Sequence, residues 1–355
     1  MRRNNIRKTE ALIMAFALSA ILLLTGCGNS TSSKNTASNN ASIVSSSNSV
    51  DNNNGSSGNK NTNGDSVNEN NSTTDEAGVN HDYPVMLFSY DKNDTNYEEP
   101  EAFNSEHLGG NYGEIEKIEY YSPTTNATRN ANVYLPYGYD KSKSYPVVYL
   151  LHGMSGTYED YRVLGARPTA QNIVYEYNRN DMILVSFTVF TDVDGKQESD
   201  YGFSDLTARY DACENDVINA LIPYINSHYS TKIGREYTGI AGYSLGGREA
   251  LYLCFAHPDI FGYVGAFEPV GGVVNTGSGE TLYGNRGYLL PELVKEGGEA
   301  PLLTGDEDPY CRVSSENYSR YMTEHSIDHI FYYRHGGHEA GVWNNGLYNF
   351  LRRIF

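Results

Sequence analysis

The run Gly242-Tyr243-Ser244-Leu245-Gly246-Gly247 constrains the fold of this chain more than any other short stretch. It has the form G-x-S-x-G and lies between an apolar-alternating segment, Tyr237 to Ala241, and a helix-forming one, Arg248 to Ala256. A serine on a sharp strand-to-helix turn is held exposed at a helix N-terminus, where an alkoxide or tetrahedral adduct is electrostatically favoured. So tight a turn leaves no room for a side chain at Gly242 or Gly246. The pattern also arises by chance, and Ser244 has the competing reading of an ordinary helix cap. Its surroundings decide.

Two further motifs supply what a nucleophilic serine lacks. Upstream, Tyr145 to Leu151 reads as a buried strand and runs into His152-Gly153-Met154-Ser155-Gly156, a turn whose N–H groups could face an oxyanion. Downstream, Ile330 to Tyr333 leads into Arg334-His335-Gly336-Gly337-His338, which puts His338 on a loop past a strand end. Between them, Pro301-Leu302-Leu303 precedes the carboxylate cluster Thr304-Gly305-Asp306-Glu307-Asp308. The order serine, acid, histidine is that of an α/β-hydrolase. Each member has a rival. His335 competes with His338 but lacks the Gly-Gly lead-in; Glu268, after the apolar run Tyr263 to Phe267, competes with Asp308. Asp306 and Glu307 read as solvated loop charges, and His152 as a brace for the oxyanion turn. The remaining histidines show no zinc-ligand spacing.

Strand candidates are Ile115–Tyr121, Ala131–Leu135, Tyr145–Leu151, Met182–Thr188, Tyr237–Ala241, Tyr263–Phe267, Ala300–Leu303 and Ile330–Tyr333. Leu206, Tyr210, Cys213, Val217, Leu221 and Tyr224 recur at steps of three or four and predict one helical stripe. Trp343, Leu347, Phe350, Leu351 and Ile354 predict another. Alternating helices and continuously apolar strands imply a doubly wound, three-layer sandwich with its site at the carboxyl ends of the strands.

From about Gly113 to Phe355 the chain resembles carbohydrate esterase family 1, the feruloyl and acetylxylan esterases. The resemblance rests on Val133-Tyr134-Leu135-Pro136, the His152-Gly153 turn, Leu221-Ile222-Pro223-Tyr224-Ile225, the serine motif, Gly305 through Asp308, and Gly336-Gly337-His338 with Val342-Trp343 and Leu347-Tyr348-Asn349-Phe350. It implies an α/β-hydrolase fold, a mainly parallel central sheet sandwiched by helices, with Ser244 as nucleophile, Asp308 as orienting acid and His338 as general base. Family members often carry glycine where this chain has Ser155. In the chemistry expected, backbone N–H groups of Leu245 and Met154, with Gly153 the lesser candidate, receive the oxyanion, and no metal or organic cofactor is required. The expected activity is hydrolysis of feruloyl, or alternatively acetyl, esters on plant cell-wall polysaccharide such as xylan. Other readings are a siderophore or other small-ester hydrolase, an acyltransferase using the same acyl-enzyme, and a catalytically silent carbohydrate-binding lipoprotein.

At the N-terminus, Arg2, Arg3, Arg7 and Lys8 precede an apolar run, Ala11 to Leu24, that ends in Leu24-Thr25-Gly26-Cys27. This is the pattern of a bacterial lipoprotein signal peptide over residues 1–27, with lipid attachment at Cys27 and an extracytoplasmic, membrane-anchored protein as its consequence. Residues 28–79, rich in Asn, Ser, Thr and Gly, read as a disordered tether with a root-mean-square span of roughly 40 Å. Residues 80–355 form the expected esterase domain. Loss of residues 1–26 removes four basic residues and Glu10, which takes the net charge from −18 to −21. So acidic a chain excludes nucleic acid as a partner and suits a neutral substrate. Cys213, Cys254 and Cys311 cannot all pair with one another, and Cys254 reads as a buried small hydrophobe. Specificity is expected in two strand-end loops, Phe190 to Phe203 and Gly271 to Leu289. The segment Tyr83 to Asn111 has no assignment.

Overall fold

The computed structural model describes residues 94–276 and 300–355. Cys27, the expected tether, residues 83–93 and residues 277–289 of the second rim loop lie outside the described residues.

Eight strands form one sheet: β1 (Ile115–Ser122), β2 (Ala127–Tyr134), β3 (Val147–Leu151), β4 (Ile183–Phe187), β5 (Thr238–Tyr243), β6 (Tyr263–Phe267), β7 (Ala300–Gly305) and β8 (His329–Arg334). Their order is β1-β2-β4-β3-β5-β6-β7-β8. Only β2 opposes its neighbours; β3 through β8 are mutually parallel. The fold class is therefore the expected one, with an antiparallel edge.

All eight strand candidates are strands, and the differences at their ends have local causes. β2 begins at Ala127 rather than Ala131 because Ala127–Asn130 pairs with β1 through main-chain register, and this polar stretch carries no apolar signal. β3 begins at Val147 because Pro146 has no N–H for the ladder; Tyr145 forms only an isolated bridge with Thr231.

Among the described residues the longer helices are α1 (Ala166–Tyr177), α2 (Phe203–Asp211), α3 (Ile222–His228), α4 (Leu245–Ala256), α5 (Arg312–Glu324) and α6 (Ala340–Leu351). Alternation along β3 divides the core. Val147, Tyr149 and Leu151 face a cluster containing Leu206, Leu251, Leu253 and Tyr318 from α2, α4 and α5. Val148 and Leu150 face one with Ile173, Leu347 and Phe350 from α1 and α6. Both faces of β3 are thus buried, which is why the strand reads as continuously apolar.

The predicted stripe from Leu206 to Tyr224 is helical but not one helix. It runs through α2, a short turn at Cys213–Asp216, a π turn at Val217–Leu221 and then α3. Asp216, fully buried beside the π turn, accepts hydrogen bonds from Tyr120 Oη at 2.7 Å and Arg129 Nη1 at 2.8 Å. Arg129 also donates to Thr191 Oγ1 at 2.7 Å and to Phe190 O at 2.9 Å, pinning the first rim loop at its stem.

The previously unassigned segment is, over 94–111, a strap along α6. Asn345 and Asn349 both donate to Tyr97 O at 2.8 Å. The Tyr97 ring stacks on Tyr332 at 4.1 Å, and Phe103 is buried. All three cysteines in the described residues are buried.

The serine turn depends on two glycines. A Cβ on Gly242 would stand 2.3 Å from Gly246 O; one on Gly246 would stand 2.3 Å from Leu151 O and 2.4 Å from His152 O. These obstacles are backbone and cannot rotate away. Gly246→Ala is expected to destabilise the fold by about 1–3 kcal/mol, the usual cost of overpacking, measured as a lowered midpoint in urea denaturation; an unchanged midpoint would refute the close approach.

Candidate active site

Ser244 directly follows β5 and precedes α4. Its backbone stands at φ 56° and ψ −123°, a conformation that costs a non-glycine residue on the order of 1–3 kcal/mol. Main-chain hydrogen bonds hold it there: Ser244 N donates to Phe267 O at 3.0 Å, while Ser244 O accepts from Arg248 N at 3.1 Å and Val270 N at 3.2 Å. Its side chain makes no capping hydrogen bond, so the ordinary cap reading fails. Behind it, buried Arg248 donates to Asp211 at 2.5 Å, tying α4 to the end of α2.

The turn after β3 abuts the serine. A Cβ on Gly153 would lie 2.9 Å from Ser244 Cβ. The Met154 and Leu245 N–H groups donate to no other described residue. Ser155 takes a positive φ, 62°, and its N–H is held by Glu198 Oε2 at 2.7 Å. The Tyr210 hydroxyl lies 2.9 Å from both Gly153 O and Glu198 Oε1. His152 accepts from Val189 N at 2.8 Å through Nε2, which leaves Nδ1–H to donate to Gly153 O at 2.7 Å. Burial holds its pKa below the ordinary imidazole value. It is a neutral brace, as its place ahead of the acid led us to expect.

His338 and the carboxylates around it come from neighbouring strand ends. His338 Nδ1 lies 3.1 Å from Asp308 Oδ2, so Nδ1 carries the hydrogen and Nε2 is free to accept. Asp308 Oδ1 accepts from Tyr310 N at 2.7 Å and Cys311 N at 3.1 Å. Burial pushes the Asp308 pKa up, but the hydrogen bond and charge of His338 outweigh it and hold the carboxyl below its ordinary value. For His338, burial favours the neutral ring, whereas hydrogen bonds to Asp308 and Glu268 overcome it and raise the pKa to about 9. His335, in contrast, is 77% exposed and pairs with Asp306 at 3.3 Å, away from the buried carboxylates.

Trp343 links the serine turn to His338. Its indole stacks on Tyr243 at 4.0 Å and meets the His338 ring edge-on at 5.4 Å. The Ser244 hydroxyl itself makes no hydrogen bond among the described residues, and serine–imidazole contacts of this kind often tighten only when substrate binds. Asp308, Cys311 and His338 bring potential metal ligands within 4.8 Å of one another. Burial pushes the Cys311 thiol well up, so it is protonated, and the imidazole–carboxylate bond accounts for the grouping without an ion.

Glu198, Tyr210 and Trp343 were not among the expected site residues. Tyr210 was read only as an apolar member of a helical stripe, Trp343 as another and as part of the family resemblance, and Glu198 only as part of the Phe190 to Phe203 loop. Replacing Glu198 by Ala frees the Ser155 N–H and is expected to lower kcat roughly tenfold, less than the roughly 10²–10³-fold of a lost oxyanion donor. Steady-state kinetics on a p-nitrophenyl ester would check this, and a wild-type kcat would refute the anchoring role.

Residues 122–276 match the family model described as putative esterase. The chain is 31% identical over 163 residues to an endo-1,4-β-xylanase/feruloyl esterase of Xylanibacter ruminicola, covering 44% of this chain and 21% of that protein. It is 29% identical over 170 residues to endo-1,4-β-xylanase Y of Acetivibrio thermocellus, covering 45% and 14%. The chain thus spans no more than about a fifth of these curated relatives. Among solved structures, a family 1 ferulic acid esterase from Anaeromyces mucronatus, in complex with ferulic acid, superposes with a TM-score of 0.65 at 28% identity, covering 73% of this chain and 97% of that one. Over residues 122–276 the chain is thus similar to the putative esterases, and its fold is that of the family 1 ferulic acid esterase structure.

Proposed function

We propose that this protein is a serine carboxylesterase that releases feruloyl groups, in preference to acetyl, from plant cell-wall polysaccharide of the xylan type. The observation that carries the reading is the 3.1 Å hydrogen bond between His338 and buried Asp308, taken with the strained strand-to-helix turn at Ser244. Support for an aromatic acyl group comes from relatives named as feruloyl esterases. Tyr310, 39% exposed and edge-on to His338 at 5.9 Å, offers a ring against which such a group could pack.

Each proton has a place in this chemistry. A serine hydroxyl is a weak nucleophile near neutral pH, so His338 Nε2 takes its proton as Oγ attacks the ester carbonyl. Asp308 fixes the tautomer and stabilises the imidazolium that results. The Leu245 and Met154 N–H groups receive the carbonyl oxygen as it becomes anionic. His338 then returns the proton to the leaving sugar hydroxyl, and the same base activates water against the acyl-enzyme.

The acidic, neutral-substrate character of the chain and the lipobox at Cys27 support a second element of the proposal: the domain works outside the cytoplasm, lipid-anchored through Cys27. Metabolic labelling with palmitate, lost in Cys27→Ala, would test it.

Purified protein is expected to release ferulate from arabinoxylan, and Ser244→Ala to lose on the order of 10³-fold or more in kcat. Release of acetate alone would move the reading to acetylxylan; turnover of a catechol trilactone without either would overturn it. The base must be neutral to act, so a pKa raised to about 9 puts the acid limb of kcat/KM on the alkaline side. Activity on methyl ferulate should still be climbing between pH 7 and 9, and a plateau from pH 6 upward would contradict this.

A further inference from the structure

Two carboxylates meet one imidazole nitrogen. Glu268 Oε2 lies 3.2 Å from His338 Nδ1, almost as close as Asp308 Oδ2 at 3.1 Å, and both carboxylate side chains are 0% exposed. The hydrogen bond goes to Asp308, and Glu268 stands within ion-pair range of the same nitrogen. Glu268 immediately follows β6, whose neighbours β5 and β7 lead to Ser244 and Asp308. Its side chain therefore enters the site from between the nucleophile and the acid.

The carboxylate sits in a built socket. Gly305 N donates to Oε1 at 2.9 Å and Trp343 Nε1 donates to Oε2 at 2.7 Å. A Cβ on Gly305 would stand 2.7 Å from Oε1, so β7 makes room for the carboxylate by carrying no side chain there. The Glu268 backbone has φ 51°, and its N–H donates to Leu303 O at 2.7 Å. A non-glycine residue is uncommon at positive φ, and such positions concentrate at functional sites.

We propose that Glu268 is a second positioning residue for His338, standing beside Asp308 within ion-pair range of Nδ1 and able to orient and charge-stabilise the imidazole when Asp308 is lost. The inference rests on the reading of His338 as the general base. Its consequences differ from those of a carboxylate that merely fills space. Two anions around one ring stabilise imidazolium more than one does, which is the direction in which the His338 pKa is displaced. Burial raises the Glu268 pKa, and the bonds from His338 and Gly305 oppose that rise.

The groups facing His338 come from four elements: Glu268 after β6, Asp308 after β7, Tyr310 and Cys311 ahead of α5, and Trp343 on α6. Of these only the two carboxyls can carry negative charge near neutral pH, so removing Glu268's charge should act on the ring directly.

The test is a cycle of Asp308→Ala, Glu268→Gln and the double variant, with kcat/KM on methyl ferulate followed from pH 5 to 10. Glu268→Gln is expected to move the acid limb down by about one pH unit. Asp308→Ala should lose roughly 10–100-fold in kcat, and the double variant roughly the 10⁴-fold seen when a lone orienting acid is disabled. If the limb stays in place in Glu268→Gln, and Asp308→Ala alone is as impaired as the double variant, the proposal falls. Should Glu268→Gln fail to fold, Glu268→Asp keeps the charge but withdraws it from the ring by one methylene; it should shift the limb downward by less, and no shift would again overturn the proposal. Ser244→Ala and His338→Ala run alongside: wild-type rates in either would defeat the general-base reading itself, a result distinct from failure of Glu268.

Discussion

The approach of Gly246 to the carbonyls that end β3 is the constraint on which the rest of this structure depends. Those carbonyls, Leu151 O and His152 O, would lie within 2.4 Å of any Cβ on Gly246. The first turn of α4 is therefore pressed against the strand that leads into the oxyanion turn. Ser244 and the Gly153–Met154 turn share one rigid joint, and Ser244 holds its strained backbone because its own main-chain bonds reach β6 and the loop beyond it. Parallel strands roughly 4.8 Å apart then bring the ends of β6, β7 and β8 alongside, each delivering one polar side chain into otherwise apolar surroundings.

Electrostatics explains why those side chains need so many partners. A buried carboxylate without donors is costly, and the usual outcome is protonation. Asp308 is held ionised by two backbone N–H groups and the imidazole; Glu268 has a backbone N–H, an indole N–H and the same imidazole. The donors are almost all main chain or rigid aromatic, so little conformational freedom is lost in holding them. His152 and Glu198 extend the same economy to the oxyanion turn, one as a neutral acceptor and donor, the other as an anchor for the Ser155 N–H.

What could be read from sequence follows from where each signal lives. Buried parallel strands such as β3 to β6 are continuous apolar runs and so were visible, β1 was visible through alternation, and polar Ala127–Asn130 of β2 was missed because pairing with the edge strand needs no apolar side chains. Ser244, Asp308 and His338 were legible because each follows a strand and stands among glycines or turn residues. Glu268 was visible only as a rival to Asp308, since a linear order admits one acid and gives no sign that two can face the same nitrogen. Glu198 and Tyr210 act across 43 and 57 residues of separation on the turn they brace, and no local pattern encodes such a contact. The strap at 94–111 is polar and aperiodic; it is held by asparagines and arginines of α6 and its C-terminal end, partners that only the fold identifies.

The central claim is that Ser244 is the atom donor of an acyl-enzyme driven by His338. The most direct measurement is intact-mass and peptide mass spectrometry after treatment with a phosphonate ester that traps serine nucleophiles. The account predicts one adduct per chain, located on Ser244, formed far more slowly in His338→Ala. An adduct on another residue, or equal labelling rates with and without His338, would contradict it.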